Sequence, residues 1–294
     1  MMYMKKSIVI ILCISIFTFL SSCSHEKKWT LLLDKDLSQW NTYLSYRHSP
    51  EYKGEIPLNE KGEMIQSVGY NKDQNKVFSV LQQDGETVLR VSGEIYGCVF
   101  TKQEFENYHL KLKVKWGKIK WEPRTHKLRD SGICYHSVGE CGKDFWRAWM
   151  LSQEFQVMEG HMGDYWNIAT SAIDIKALIP EGTMNAVACN NQPFLAMGEG
   201  TELPGFCLRT FDNESPEGQW TELELICFEG KSLHIVNGKV VMVLQNSRYF
   251  ENGKNVPLTR GKIQLQSEAA EVFYKDIKIR SITELPESYA AYFK

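Results

Sequence analysis

From about residue 77 onward the chain alternates apolar and polar positions with a period of two. In YHLKLKVKW, Tyr108, Leu110, Leu112, Val114 and Trp116 share one parity, while His109, Lys111, Lys113 and Lys115 take the other. Successive side chains of a strand point to opposite faces, so this stretch predicts a half-buried strand. TELELICF repeats the pattern with Leu223, Leu225 and Cys227. LHIVNGKVVMVL reads as two strands joined by Asn237-Gly238, residues that tolerate the positive φ of a type I′ hairpin turn. KIQLQSE and VFYKDIKIRSI supply two more strands near the C-terminus, and almost no segment shows sustained helical spacing. Many short strands with polar turns predict an all-β fold of two packed antiparallel sheets. The stretch 45–75 is turn-rich and is expected to be irregular. So is 176–212, rich in proline and glycine, which is expected to form a rim over a binding face. No internal repeat or linker calls for a second domain, so 29–283 is expected to be one domain followed by a tail, 284–294.

The N-terminus departs from this pattern. Lys5 and Lys6 precede an apolar run from Ile8 to Leu20, then Leu20-Ser21-Ser22-Cys23. The run is too short and wrongly flanked for a membrane span and predicts a signal peptide, residues 1–22. Small residues before a cysteine match a bacterial lipobox, so Cys23 is the expected lipidated first residue. The chain would then be exported and tethered by lipid to a bacterial membrane, on a periplasmic or surface face, rather than threaded through it. An ordinary signal peptide with a chance cysteine is the alternative.

Loss of Lys5 and Lys6 moves the formal charge from −2 to −4. No clustered basic stripe remains beyond the strand KLKVKWGKIK, which argues against a nucleic-acid partner. Of eight cysteines, Cys13 leaves with the signal and Cys23 carries lipid. The others form no CxxC or paired Cys/His spacing, so neither a zinc site nor a disulfide scaffold is expected. Cys98 and Cys134 lie in strand-like runs and read as small core residues.

Candidate chemistry gathers in EFQVMEGHMGDYW, 154–166. If the stretch begins as a strand, Phe155 and Val157 take the core, and Glu154 and Gln156 share the opposite face. RDSGICYHS splits likewise, with Ser131, Ile133 and Tyr135 on one parity and Asp130, Gly132, Cys134 and His136 on the other. If the two strands are neighbours, Asp130, His136, Glu154 and Gln156 converge on one concave surface, which would suit a carbohydrate. Gly160 and Gly163 suggest that the strand ends and turns, returning Glu159, His161 and Asp164 to the rim. Clustered carboxylates raise one another's pKa, so that one can donate a proton while another stays ionised. The default for an alternating Glu/Gln face is a solvated sheet surface, and Asp130 and His136 each have equally bland readings. His126, His161 and Asp164 are a weakly spaced candidate metal set.

Several motifs taken in order resemble one family. WTLLLDKDLSQW resembles its LFNGKDLSGW opening, VFTKQEFENYHLKLKVKW its LWTKKEYGDFELRLEFR strand pair, and RDSGICYH its NSGIFLR strand. EFQVMEG is similar to EIQLLD, GQWTELEL to GEWNTYEI, HIVNGKVV to the WLNG hairpin, and GKIQLQSEAAEVFYKDIKI to GPIALQDHGGPVRFRNIRI. These are motifs of the domain of unknown function 1080, also described as 3-keto-disaccharide hydrolases or 3-keto-glucoside lyase/hydratases. The resemblance covers about 29–282. It implies an antiparallel two-sheet jelly-roll sandwich like concanavalin A and the laminarinases. Three positions depart from the family: the Asn of NSGI is Asp130, the final Asp of EIQLLD is Glu159, and the histidine of LQDH is Glu268.

The chemistry implied by the resemblance is elimination. A C3 carbonyl acidifies the hydrogen on C2, a base removes it, the C1 aglycone leaves with help from a general acid, and water adds to the enone, giving net hydrolysis. This needs a base near C2, donors at the enolate oxygen and an acid near the glycosidic oxygen. The expected base is Glu154, with His136 next. Gln156 and Arg129 or Arg124 would hold sugar oxygens and the enolate, and Glu159 or Asp164 would protonate the leaving group. Asp130, Gln266 and Glu268 are further substrate-binding candidates. Trp166 and Tyr135 are candidate ring platforms, although parity sends Tyr135 toward the core. No cofactor is required, and a divalent metal ion held by the acids could replace the arginine as electrophile. A laminarinase-type glycoside hydrolase needs two carboxylates on an unoxidised glycan, but EFQVME places Gln156 where the ExDxxE pattern of those enzymes has Asp. A glycan-binding lipoprotein without catalysis is the remaining alternative.

Overall fold

The computed structural model describes residues 28–53, 55–143 and 148–294. The expected signal peptide and Cys23 lie outside the described residues. About 51% of the chain is strand and 3% helix.

The alternation is realised as two antiparallel sheets. The back sheet runs, neighbour to neighbour, through Phe78–Gln83, Glu86–Val91, Ala270–Ser281, Tyr108–Lys120, Thr221–Phe228, Lys231–Val236 and Lys239–Glu251. The front sheet runs through Trp40–Leu44, Gly97–Thr101, Lys262–Ser267, Asp130–Val138, Leu151–Met158 and Tyr165–Ile168. The core lies between their inner faces. Leu110, Leu112, Val114, Leu223, Leu225 and Val272 from the back meet Ile133, Tyr135, Phe155, Val157, Ile263 and Leu265 from the front. Each set has the parity that the sequence pattern assigns to the core. Asn237 and Gly238 both adopt positive φ, 45° and 73°, as the expected hairpin turn requires.

Two expectations need correction. The segment 176–212 is not wholly irregular, because Ala186–Ala188, Phe194–Gly198 and Phe206–Leu208 are short strands. They pair with Ser171–Leu178, Tyr165–Ile168 and one another, which satisfies backbone groups that a loop would leave open. His136 also leaves the expected alternation. The register with Leu151–Met158 slips between Tyr135 and Val138, and His136 has φ 53°. Such a bulge re-aims one side chain. The His136 ring lies edge-on to Tyr108 and Tyr135 at 5.9 and 5.3 Å, away from the acidic face.

The segment 45–75 contains only the short strand Gly69–Tyr70 and one isolated bridge, Leu58 to Met64. The tail folds back, with Leu285, Tyr289, Tyr292 and Phe293 covering Ile226, Leu233 and Ile235 on the outer face of the back sheet. Among the described residues the six cysteines are free, Cys98 and Cys134 are buried, and no helix is long and apolar enough to cross a membrane.

Candidate active site

Three adjacent front-sheet strands build the site. In register, Gly132 faces Gln156, Cys134 faces Glu154, and Gln264 faces Cys134 from the other side. The middle strand thus presents only Gly132 and Cys134 between two rows of longer polar side chains, which leaves a hollow. A Cβ at Gly132 would stand 2.1 Å from Glu154 Oε1 and 2.6 Å from Gln266 Oε1, so only glycine permits their approach. The hollow deepens into a cavity of about 160 Å³ lined by Arg124, Asp130, Trp149, Glu154, Gln156, Trp166 and Glu268. Trp166 is the register neighbour of Glu154, leans on Phe206 at 4.4 Å and is 37% exposed, as a ring platform should be.

The pocket holds more acid than base. Arg124 Nη2 is paired with Asp130 and, at 2.7 Å, with Glu268 Oε1. Burial works against the Arg124 cation, yet Glu268 and Asp130 hold its pKa above the ordinary guanidinium value. Glu154 is 4% exposed, and among the described residues no cation pairs with it. Burial pushes its carboxyl well above the usual range, and the negative field of Glu268 adds to that; Gln266 and Arg124 only partly oppose it. Asp130 is also pushed up, first by burial and then by Glu268, against the pull of Arg124. Arg124 bonds directly to Asp130 and Glu268 but not to Glu154, so Glu154 is the carboxyl of the three with no direct ion pair to favour its charged form.

Two acceptors stand open here, Gln156 in the pocket wall and Gln266 beside Glu154 at Gly132. The Oε1 atoms of Gln156 and Gln266 are buried without a hydrogen-bond partner, while Gln266 Nε2 donates to Cys134 Sγ at 3.2 Å. Arg124 Nε is likewise a buried donor without a partner. Buried polar atoms left open cost free energy, so a polyhydroxylated ligand that fills them gains.

The sequence candidates therefore separate. Asp130, Glu154, Gln156, Glu268, Arg124 and Trp166 converge, with Gln266 against Glu154. His136 and Tyr135 do not: Tyr135 lies in the core as its parity requires, and burial lowers the His136 pKa to about 4. Glu159 does come to the rim after the strand ends at Met158, where its carboxylate accepts from the Arg129 N–H at 3.2 Å. It lines an adjacent groove rather than the pocket. Asp164 turns the other way. Its carboxylate accepts from Arg209 N and Arg209 Nη1 at 2.8 and 3.1 Å and bonds His161 Nδ1 at 2.9 Å, so it is spent holding the turn. Sequence reasoning missed Trp149, which lies in an irregular segment with no periodicity to aim it. It also missed Tyr96, whose phenol is pushed up by burial and then by the Glu268 charge. Among the described residues no three His, Cys, Asp or Glu side chains are gathered to hold a metal ion, and His126, His161 and Asp164 form no such group.

Two packed sheets bearing a polar, aromatic-walled pocket define a carbohydrate-active β-sandwich. The chain belongs to the 3-keto-alpha-glucoside-1,2-lyase-like domain family, whose model matches residues 28–280. Among solved structures it is similar to a proposed glycosyl hydrolase from Parabacteroides distasonis, at 17% identity over 86% of this chain and 94% of that one, with a TM-score of 0.44. It is also similar to LamAcat from Zobellia galactanivorans, at 11% identity over 87% and 97%, with a TM-score of 0.43. No curated protein sequence matches.

Proposed function

We propose that the protein cleaves 3-keto-glycosides by elimination followed by hydration. The observation that carries the reading is the division of labour among three clustered carboxyls: Asp130 and Glu268 share Arg124, while Glu154, which pairs with no cation among the described residues, is the one assigned the proton. An elimination needs both forms at once. This assignment reverses the role expected for Glu154, because a carboxyl that holds its proton at neutral pH is an acid before it is a base.

With one sugar ring in the pocket against Trp166, Glu268 removes the C2 proton and the electron pair passes to the C3 oxygen as an enolate, which Arg124 stabilises. Collapse of the enolate breaks the bond from C1 to the aglycone oxygen, and Glu154 supplies the proton that oxygen needs. Water then adds at C1, C2 regains a proton and the 3-keto sugar is released. The open oxygens of Gln156 and Gln266 accept from ring hydroxyls.

The same acid and carboxylate pairing would also serve a hydrolase acting on unoxidised glycan, so the test compares the two substrates. The purified protein is incubated with 3-keto-glucosides and with their unoxidised parents, in ordinary and in heavy water. Release of aglycone from the keto compound alone, with deuterium at C2 of the product, is the expected result. Cleavage of the parent alone would establish the hydrolase, and binding without turnover would establish a lectin.

A further inference from the structure

Arg124 lies on the boundary between the acidic pocket and a larger, open groove of about 620 Å³. The groove follows residues 120–129 and ends at Met158 and Glu159, and it meets the pocket at Arg124. Its charge is opposite to that of the pocket. Lys120, Arg124, Lys127 and Arg129 face a single lining carboxylate, Glu159. Arg124 is engaged by the pocket acids, and Arg129 is shared between Glu217 at 2.6 Å and Glu159 at 3.5 Å. Lys120 Nζ donates to the Lys127 carbonyl at 2.9 Å, and among the described residues no carboxylate pairs with Lys120 or Lys127.

We propose that this groove receives the leaving group and selects one that carries an anionic substituent, a carboxylate, sulfate or phosphate. The words "leaving group" rest on the elimination reading above; the anion selectivity rests on the groove alone. Pocket and groove together form a polar axis. The pocket sets three carboxyls, Asp130, Glu154 and Glu268, against Arg124 and so disfavours an anion, whereas the groove attracts one. A substrate with a neutral ring and an anionic tail is then favoured in one orientation, with its scissile bond beside Arg124. The attraction acts through solvent, so it is modest and salt-sensitive.

Three glucosides and their 3-keto derivatives test this, with ω-carboxyalkyl, plain alkyl and ω-trimethylammonioalkyl aglycones of equal length. Binding is measured by calorimetry and turnover by kcat/KM. The expected result is a roughly five- to tenfold preference for the carboxylate over the plain alkyl compound, with the trimethylammonium compound weakest. The preference should shrink as salt rises, and K120Q/K127Q should collapse the carboxylate-to-alkyl ratio. A ratio near one, no binding by any of the three, or a ratio insensitive to both salt and the double substitution overturns the proposal. Charge-ordered binding without keto-glucoside turnover would keep the anion groove and remove the elimination reading. Turnover indifferent to charge would do the reverse.

Discussion

Glu154 on the front sheet and Glu224 on the back sheet are each only 4% exposed. Burial raises the pKa of both, yet they end on opposite sides of the ordinary value. Glu224 Oε2 bonds His109 Nε2 at 2.7 Å and Lys111 Nζ at 2.9 Å, and these bonds overcome burial and lower its pKa. Glu154 meets another carboxylate instead of a cation, and its pKa rises. Both sites arise from strand alternation, with a polar residue on the face turned away from the core. What differs is charge balance. The back-sheet carboxylate is matched by His109 and Lys111, with only the far ring nitrogen of His109 left open, whereas the front-sheet pocket has surplus acid and amide oxygens with no partner. A buried carboxylate alone marks nothing; one left unbalanced beside a cavity marks a site.

The largest test of that contrast replaces each glutamate by glutamine. Glu154→Gln should lower kcat on a 3-keto-glucoside by roughly 10² to 10⁴ while the fold survives. Its melting temperature should exceed that of the wild type, increasingly so as pH rises above 4.5. Above that pH the unfolded chain ionises Glu154 while the folded one must hold the proton, so the wild type loses stability with rising pH and the variant does not. Glu224→Gln should do the opposite. It should cost about 1–3 kcal/mol at neutral pH by weakening the bonds to His109 and Lys111, with kcat little changed. Equal effects of the two substitutions on rate would break the comparison.

Arg124→Met unbalances the pocket further. Asp130 and Glu268 would lose their shared cation, and denaturant unfolding at neutral pH should show a loss of about 2–4 kcal/mol, below the fully buried range because Arg124 is partly exposed. The loss should shrink in acid, where the two carboxyls are protonated. Gly132→Ala should follow, at about 1–3 kcal/mol from overpacking, with activity falling further than stability because the new methyl displaces Glu154 and Gln266.

A further effect is on acid stability. Burial lowers the pKa of His136 to about 4 and of His234 to about 3, so both are neutral in the fold. As pH falls below 6.5 the unfolded chain binds protons that the folded chain refuses, and stability should decline toward pH 4. His234→Phe should flatten that slope by roughly one proton in a pH series of unfolding curves.

Much of this arrangement is legible in the chain because strand parity is a local property. Asp130 and Glu154 against Ile133 and Phe155 can be assigned by counting in twos, and Gly132 marks where the sheet could open. Parity fails where the backbone breaks step. His136 sits at a bulge with positive φ that nothing in CYHSV announces. Asp164 follows a turn, so its direction depends on Arg209, 45 residues away in the chain. Trp149 and Arg124 come from irregular segments whose placement is decided by packing alone. The role of Glu154 was equally out of reach, since it depends on which neighbours take Arg124.

The most direct test of that role is the protonation state itself. Carbon-13 NMR of glutamate-labelled protein, with the Glu154 carboxyl assigned through Glu154→Gln, follows the resonance from pH 4 to 9. The account predicts a Glu154 carboxyl that titrates well above the ordinary glutamate value, while Glu224 titrates below it. A Glu154 resonance that titrates at or below the ordinary glutamate value would contradict the division of labour on which the proposed elimination rests.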